Sequence, residues 1–326
     1  MKASATVALV AAYFALNTVP ASAYTALFAF GDSLSDAGNA YILTGGATPA
    51  SPPYVGGHFS NGPTWVEDLS QELGLGTLKP SLSPAGGTDF AVGGATTAAL
   101  PLEVGSFETY AALNSLSQAT LNGALFTLDI GANDIINVLP EALTNLPAAE
   151  TAVENAANSA ATEVEVLHAD GARTLLYYEV PNLGLVPDFA GTVEAPFASS
   201  LAQLFNTTLL GDLTSIETGA DALKVSVLDT YDLLGDVVAD PLRYGFTDVT
   251  RACIDVASCL GGSQAEQDQF LSFDGLHPTE GGHVLAAELS YALVAPEPST
   301  WAMMLVGFAG FGFAGWRARR RTTAIA

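Results

Sequence analysis

Short apolar runs recur along the chain, with longer segments of helical pattern between them. "ALFAF" (26–30), "DFAV" (89–92), "ALFTLDI" (124–130), "RTLLYYEV" (173–180) and "KVSVLD" (224–229) have the length and composition of strands. Between them, "PAAETAVENAANSAATEVEVLHADGA" repeats apolar residues at helical spacing and meets a stop at Gly171. "APFASSLAQLFNTTLLGDLTSIE" and "TEGGHVLAAELSYAL" carry the same spacing. Strands alternating with helices predict an α/β fold around a five-stranded parallel sheet. In such a sheet ligands gather beyond the carboxyl ends of the strands. Ser33 follows the first run, Gly93 and Gly94 the second, and Asn133 the third, so topology alone converges them. No repeat or linker divides this stretch. The loop from Gly45 to Gly62, rich in Gly, Pro and Ser, is long enough to be functional surface.

The two ends of the 326-residue chain have a different character. "MKASATVALVAAYFALNTVPASA" has one lysine, a long apolar stretch and a small-x-small ending at Ala21 and Ala23, the pattern of a secretory signal peptide over residues 1–23. At the other end an apolar run, 301–316, is followed by Arg317, Arg319, Arg320 and Arg321. Sixteen helical residues would span roughly 24 Å, a marginal membrane span, and the arginines favour the cytoplasmic side. Pro296, Glu297 and Pro298 just ahead of that run make residues 296–326 resemble the PEP-CTERM sorting signal of Gram-negative bacteria. The resemblance implies export across the inner membrane, recognition by an exosortase-type processing enzyme, and delivery to the cell surface or exopolysaccharide. The alternative is a permanent single-span anchor.

With the ends set aside, charge becomes informative. Lys2 and the four C-terminal arginines account for half of the ten basic residues, which leaves five against 33 acidic residues before Glu297. Such a field repels nucleic acid and anionic lipid head groups, and so excludes nucleic acid as a partner. Cys253 and Cys259 are the only cysteines; in an exported domain they predict a small disulfide-closed loop, with a free pair as the alternative. Two cysteines without clustered histidines make a poor zinc site, and no metal or cofactor is expected.

A serine becomes a useful nucleophile only beside a base that is itself oriented by a third group. Of the four histidines, His58 lies in "YVGGHFSNG", His168 ends a helix, and His277 and His283 fall in "FDGLHPTEGGH". Asp274 precedes His277 by three residues, with Gly275 between them to bend the chain, so carboxylate and imidazole can share one loop rim. Ser33 itself sits in "FAFGDSLSDAGN".

Taken together and in order, "GDSLSDAGN", "DFAVGGATT", "GANDI" and "DGLHPT" resemble the GDSL, or SGNH, family of serine hydrolases. "GGHFSNGPTWVEDLSQELGL" and "EVPNLGLVP" extend the likeness over residues 24–295. The resemblance implies a flavodoxin-like α/β/α sandwich and hydrolysis of esters or thioesters. It also implies Ser33 as nucleophile, His277 as general base and Asp274 as its orienting carboxylate. The backbone N–H of Ser33, that of Gly94 in preference to Gly93, and the Asn133 amide would form the oxyanion hole. His58 stands where many members carry arginine, and Asp89 where asparagine is common. Substrate remains open between lipid-type esters and acetyl groups on exopolysaccharide, with a non-catalytic matrix-binding protein as the rival from another class.

Overall fold

The computed structural model describes residues 24–295, Ala220 excepted, and its central feature is one parallel sheet in chain order. β1 (Leu27–Gly31), β2 (Leu125–Asp129), β3 (Thr174–Tyr178) and β4 (Lys224–Leu228) pair in register, Leu27 opposite Leu125 and Thr174 opposite Lys224. Every residue of β1 and β2 is buried, as continuous apolar runs require when helices cover both faces of a sheet.

"DFAV" departs from expectation, since it forms no ladder of its own. It lies beside β1 as an irregular edge: Ala29 N–H donates to Thr88 O, Phe90 N–H to Ala29 O and Val92 N–H to Gly31 O, with one bridge between Ala29 and Asp89. The turn at Gly93 and Gly94 ends the pairing after Val92. The sheet therefore has four strands and a fifth, incomplete edge. Counting that edge, the five runs lie in the order 2-1-3-4-5, the flavodoxin-like arrangement.

Alternate residues of the strands face opposite layers. Phe28, Phe30, Phe126, Leu128, Leu175 and Tyr177 enter the main core, with α2 (Leu100–Leu113), α3 (Ala132–Ala142), α4 (Leu146–Asp170) and α5 (Ala195–Leu213). α4 presents Ala149, Ala156, Ala157, Ala160 and Ala161, small side chains that let neighbouring helices approach closely. On the other face the Tyr178 ring packs, tilted, 5.0 Å from that of Trp65, which opens α1 (Trp65–Glu72). α7 (Glu280–Val294) lies next to α1, joined by the Trp65 N–H to His283 Nδ1 bond.

A second, two-stranded parallel sheet, β5 (Asp248–Ala252) with β6 (Phe270–Ser272), is not signalled by apolar runs. α6 (Thr230–Ala239) packs near it through Val237 and Leu233. Directly after β5, Cys253 and Cys259 form a disulfide, buried against Phe273. This small sheet ends in the loop that carries Asp274 and His277. The signal segment 1–23 and the apolar span 301–316 lie outside the described residues; among those described, no helix is long and apolar enough to cross a membrane.

Candidate active site

Ser33 owes its position to a tight turn at the end of β1. Gly31 has φ +141°, and any Cβ there would collide with the Asp129 carbonyl, so only glycine lets β1 lie so close to β2. The Asp32 N–H then donates to Asp129 O, and Asp32 Oδ1 accepts the Leu34 N–H to close the turn around Ser33. A helical turn follows as Ser35 and Asp36 N–H reach back to Asp32 O.

The opposing loop is just as local in origin. Asp274 Oδ1 accepts the backbone N–H groups of Leu276 and His277, folding the loop back so that the imidazole meets the same carboxylate. His277 Nδ1 lies 2.8 Å from Asp274 Oδ2, and His277 Nε2 lies 2.7 Å from Ser33 Oγ. Burial alone would raise the Asp274 carboxyl. His277, the Tyr54 hydroxyl and the backbone donors outweigh it and hold the group at about 2. An ionised Asp274 keeps the imidazole proton on Nδ1 and leaves the Nε2 lone pair facing the serine.

Tyr54, from the Gly/Pro-rich loop, donates to Asp274 Oδ2 at 2.6 Å, a contact without any sequence signal. Phe59 of the same loop lays its ring 5.2 Å from the His277 imidazole. Ser60 Oγ bonds Pro278 O, and Asn61 Oδ1 accepts the Glu280 N–H, so the end of this loop is tied to the residues just after His277.

The predicted oxyanion groups line one pocket of about 230 Å³ with Ser33, His277, Phe59, Ile136 and Leu183. Gly93 cannot offer its N–H, which donates at 2.7 Å to Asp36 Oδ2. Gly94, at φ +82°, has no hydrogen-bond partner for its N–H among the described residues, nor has Ser33. Asn133 Nδ2 donates to Ala95 O at 2.9 Å and, more weakly, to Asp32 Oδ2 at 3.2 Å. Thr97 N–H and Oγ1 both bond Asp134, clamping the Gly94 turn to the start of α3.

The remaining histidines stand apart from this pocket. His283 is buried, accepts the Trp65 N–H and is pushed by burial down to about 3. His168 lies near the end of α4, with Nδ1 2.9 Å from the Ala172 carbonyl. His58 pairs with Glu67 at 3.0 Å; burial lowers its pKa, but the Glu67 bond and charge more than compensate. Asp89 serves the loop as an acceptor, taking Ala37 N–H at 2.7 Å and Ala91 N–H at 3.0 Å. No group of three or more His, Cys, Asp or Glu side chains among the described residues is placed to hold a metal ion.

Residues 27–290 match the GDSL-like lipase/acylhydrolase family. The chain belongs to that family. A phosphatidylcholine-sterol acyltransferase of Aeromonas hydrophila is 28% identical, over 85% of this chain and 82% of its own. GDSL esterase/lipase 6 of Arabidopsis thaliana is 26% identical, over 81% and 84%. A Pseudomonas putida protein from a trpE-trpG intergenic region is 28% identical over 87% of this chain, which spans half of that protein's length. Among solved structures, a catalytic mutant of an acetylxylan esterase from Geobacillus stearothermophilus aligns over 83% of this chain and 94% of its own, at 12% identity and a TM-score of 0.44. The family makes the protein a carboxylic ester hydrolase. Residues 294–321 match the PEP-CTERM protein-sorting motif, which indicates export.

Beneath the serine turn lies a group of buried carboxyls, none of which pairs with a lysine or arginine among the described residues. Burial pushes Asp32 up to about 6, and it raises Asp89, Glu103 and Asp129 well above the usual carboxylate range. Glu103 Oε2 accepts the Gly31 N–H while its Oε1 has no partner among the described residues. An acid whose pKa is raised by folding binds its proton more tightly in the folded state. It therefore favours the fold below its ordinary pKa, and that contribution is lost as pH rises through the folded value. Asp274, which is shifted down, acts oppositely, but only below about pH 4, and His283, pushed down to about 3, opposes the carboxyls as pH falls below about 6.5, one group against four. The melting temperature is expected to be higher at pH 5 than at pH 8, by on the order of 5 °C. Glu103→Gln keeps an acceptor for Gly31 and should flatten part of that slope. Equal or higher melting at pH 8 would show that these carboxyls are ionised in the fold at no cost.

Proposed function

We propose that this ester hydrolase works through a Ser33, His277, Asp274 triad and an acyl-enzyme on Ser33. The observation supporting this is the unbroken line from the Asp274 carboxylate through the imidazole to Ser33 Oγ, with both contacts under 3 Å. His277 Nε2 takes the hydroxyl proton as Oγ bonds the acyl carbon. The Ser33 and Gly94 N–H groups and the Asn133 amide hold the oxyanion, and its collapse expels the alcohol with the proton from Nε2. Water then gives a proton to the same nitrogen as its oxygen bonds the acyl carbon, and collapse breaks the bond to Ser33 Oγ, which takes that proton back from Nε2 as the acid leaves. The longer Asn133 bond, to Asp32, is the one an oxyanion replaces most cheaply.

We further infer that the chain acts after export, its 296–326 tail being recognised by an exosortase-type enzyme, at the cell surface or in exopolysaccharide. A fluorophosphonate probe tests the chemistry. It should label the folded wild type once, at Ser33, and fail to label Ser33→Ala. Labelling that survives the substitution places the nucleophile elsewhere.

A further inference from the structure

We propose that Tyr54 is a positioning residue of the reaction, acting through Asp274: its hydroxyl fixes the carboxylate against the imidazole and takes up part of the charge that would otherwise hold the imidazolium. This rests on the triad reading above and adds a fourth residue to it. Among the described residues Asp274 receives four donors. Three come from its own loop, the Leu276 and His277 N–H groups on Oδ1 and the His277 ring on Oδ2. Nδ1 lies nearly as close to Oδ1, at 2.9 Å, as to Oδ2, at 2.8 Å. Donors within one loop move with that loop, so they leave the tilt of the whole unit free. Tyr54, 220 residues earlier in the chain, is the donor that fixes the unit from outside, at 2.6 Å from Oδ2.

The tyrosine is itself held. Its ring meets Phe273 edge-on at 5.4 Å and packs on the small core that Phe273 makes with the Cys253–Cys259 disulfide. Phe59, edge-on to Tyr54 at 6.3 Å, is the residue that lies against the His277 ring. Burial, then the bond to Asp274 and the charges of Asp274 and Asp188, push the Tyr54 phenol up, so it stays protonated and only donates. Asp274 is buried, and bulk water does not make good a donor lost there. A donor on Oδ2 competes with the imidazolium for the same negative charge. Taking it away tightens the hold of Asp274 on the protonated ring, and a higher pH is then needed to free Nε2 for Ser33. Other charged groups face the pair: Asp32 on the serine turn, Asp188, whose N–H donates to Gly275 O, Asp255 near Asp188, and His283 on α7. All of them stay in place when only the Tyr54 hydroxyl is removed, so the difference between the two proteins reads that one bond.

The test is Tyr54→Phe in the full chain, which keeps the ring and its packing. The plateau kcat should fall roughly 10- to 100-fold with KM little changed. The acid limb of kcat/KM against pH should move upward by roughly 0.5–1 unit. Ser60→Ala loosens the same loop by removing its bond to Pro278 O; it should lower the melting temperature and leave the limb where it is. An unmoved limb in Tyr54→Phe, a plateau rate within about twofold of wild type, or the same displacement of the limb in Ser60→Ala makes Tyr54 a loop tie and overturns the proposal. Should Tyr54→Phe show no melting transition, replacing tyrosine by 3-fluorotyrosine supplies a stronger donor at the same position. The limb should then move to lower pH, and a limb that stays put overturns the proposal. Failure of the folded wild type to take the fluorophosphonate at Ser33 overturns the triad reading instead.

Discussion

His277→Ala is expected to lower kcat by roughly 10⁴- to 10⁶-fold while the protein keeps a cooperative melting transition. The size follows from geometry, since among the described residues no other imidazole or amine lies where it could take the Ser33 proton. The informative control is His283→Ala, six residues further on. His283 is fully enclosed and accepts the first N–H of α1, so its loss leaves that donor buried and unpaired at about 1–3 kcal/mol. It should melt several degrees earlier and turn over substrate within a few-fold of wild type. Asp274→Asn belongs with the first group: an amide in that position no longer holds the proton on Nδ1, and kcat should fall by about 10⁴. If His283→Ala is the variant that loses turnover and His277→Ala is not, the base has been assigned to the wrong side of the helix.

The parts of the site that can be read from sequence are those whose geometry is local. Asp274 folds its own loop by accepting the N–H groups two and three residues on, so carboxylate and imidazole meet for reasons contained in "DGLH". Ser33 likewise depends on a Gly-Asp turn at a strand end. Gly93 and Gly94, by contrast, are equivalent as letters. What separates them is Asp36, 57 residues earlier in the chain, which takes the Gly93 N–H. Tyr54 is further from legibility still, because its partner Asp274 lies 220 residues away and nothing in a Gly/Pro-rich loop marks one tyrosine as a donor. Among the elements, the five apolar runs all reach the sheet, but "DFAV" carries a buried carboxylate and is followed by two glycines. It has too few residues in extended pairing to complete a ladder. β5 and β6 escape notice for another reason: "DVTRA" and "FLS" are short, and polar side chains in β5 break the apolar pattern.

Asn133→Ala is expected to lower kcat by roughly 10²–10³-fold with KM little changed, the loss of one oxyanion donor. The substitution also removes two bonds the amide makes at rest, to Ala95 O and to Asp32, so a rival account must be met. On that account Asn133 only pins the Gly94 turn to α3, and the loss of rate comes from a loosened turn. Thr97→Val separates the two. Thr97 ties the same turn to the same helix through its hydroxyl and Asp134, and valine keeps its shape while removing that bond. If pinning is what matters, Thr97→Val should lose rate in proportion to its lowered melting temperature, and Asn133→Ala should fall on the same line. If Asn133 donates to the oxyanion, Thr97→Val loses stability by about 0.5–1.5 kcal/mol with near-normal kcat. Asn133→Ala then loses about 2.7–4 kcal/mol of transition-state stabilisation, far more than its change in melting accounts for. It should still react slowly with the fluorophosphonate, because nucleophile and base are untouched. Wild-type kcat in Asn133→Ala below its melting point would return Asn133 to a purely structural role and leave the Ser33 and Gly94 N–H groups as the oxyanion hole.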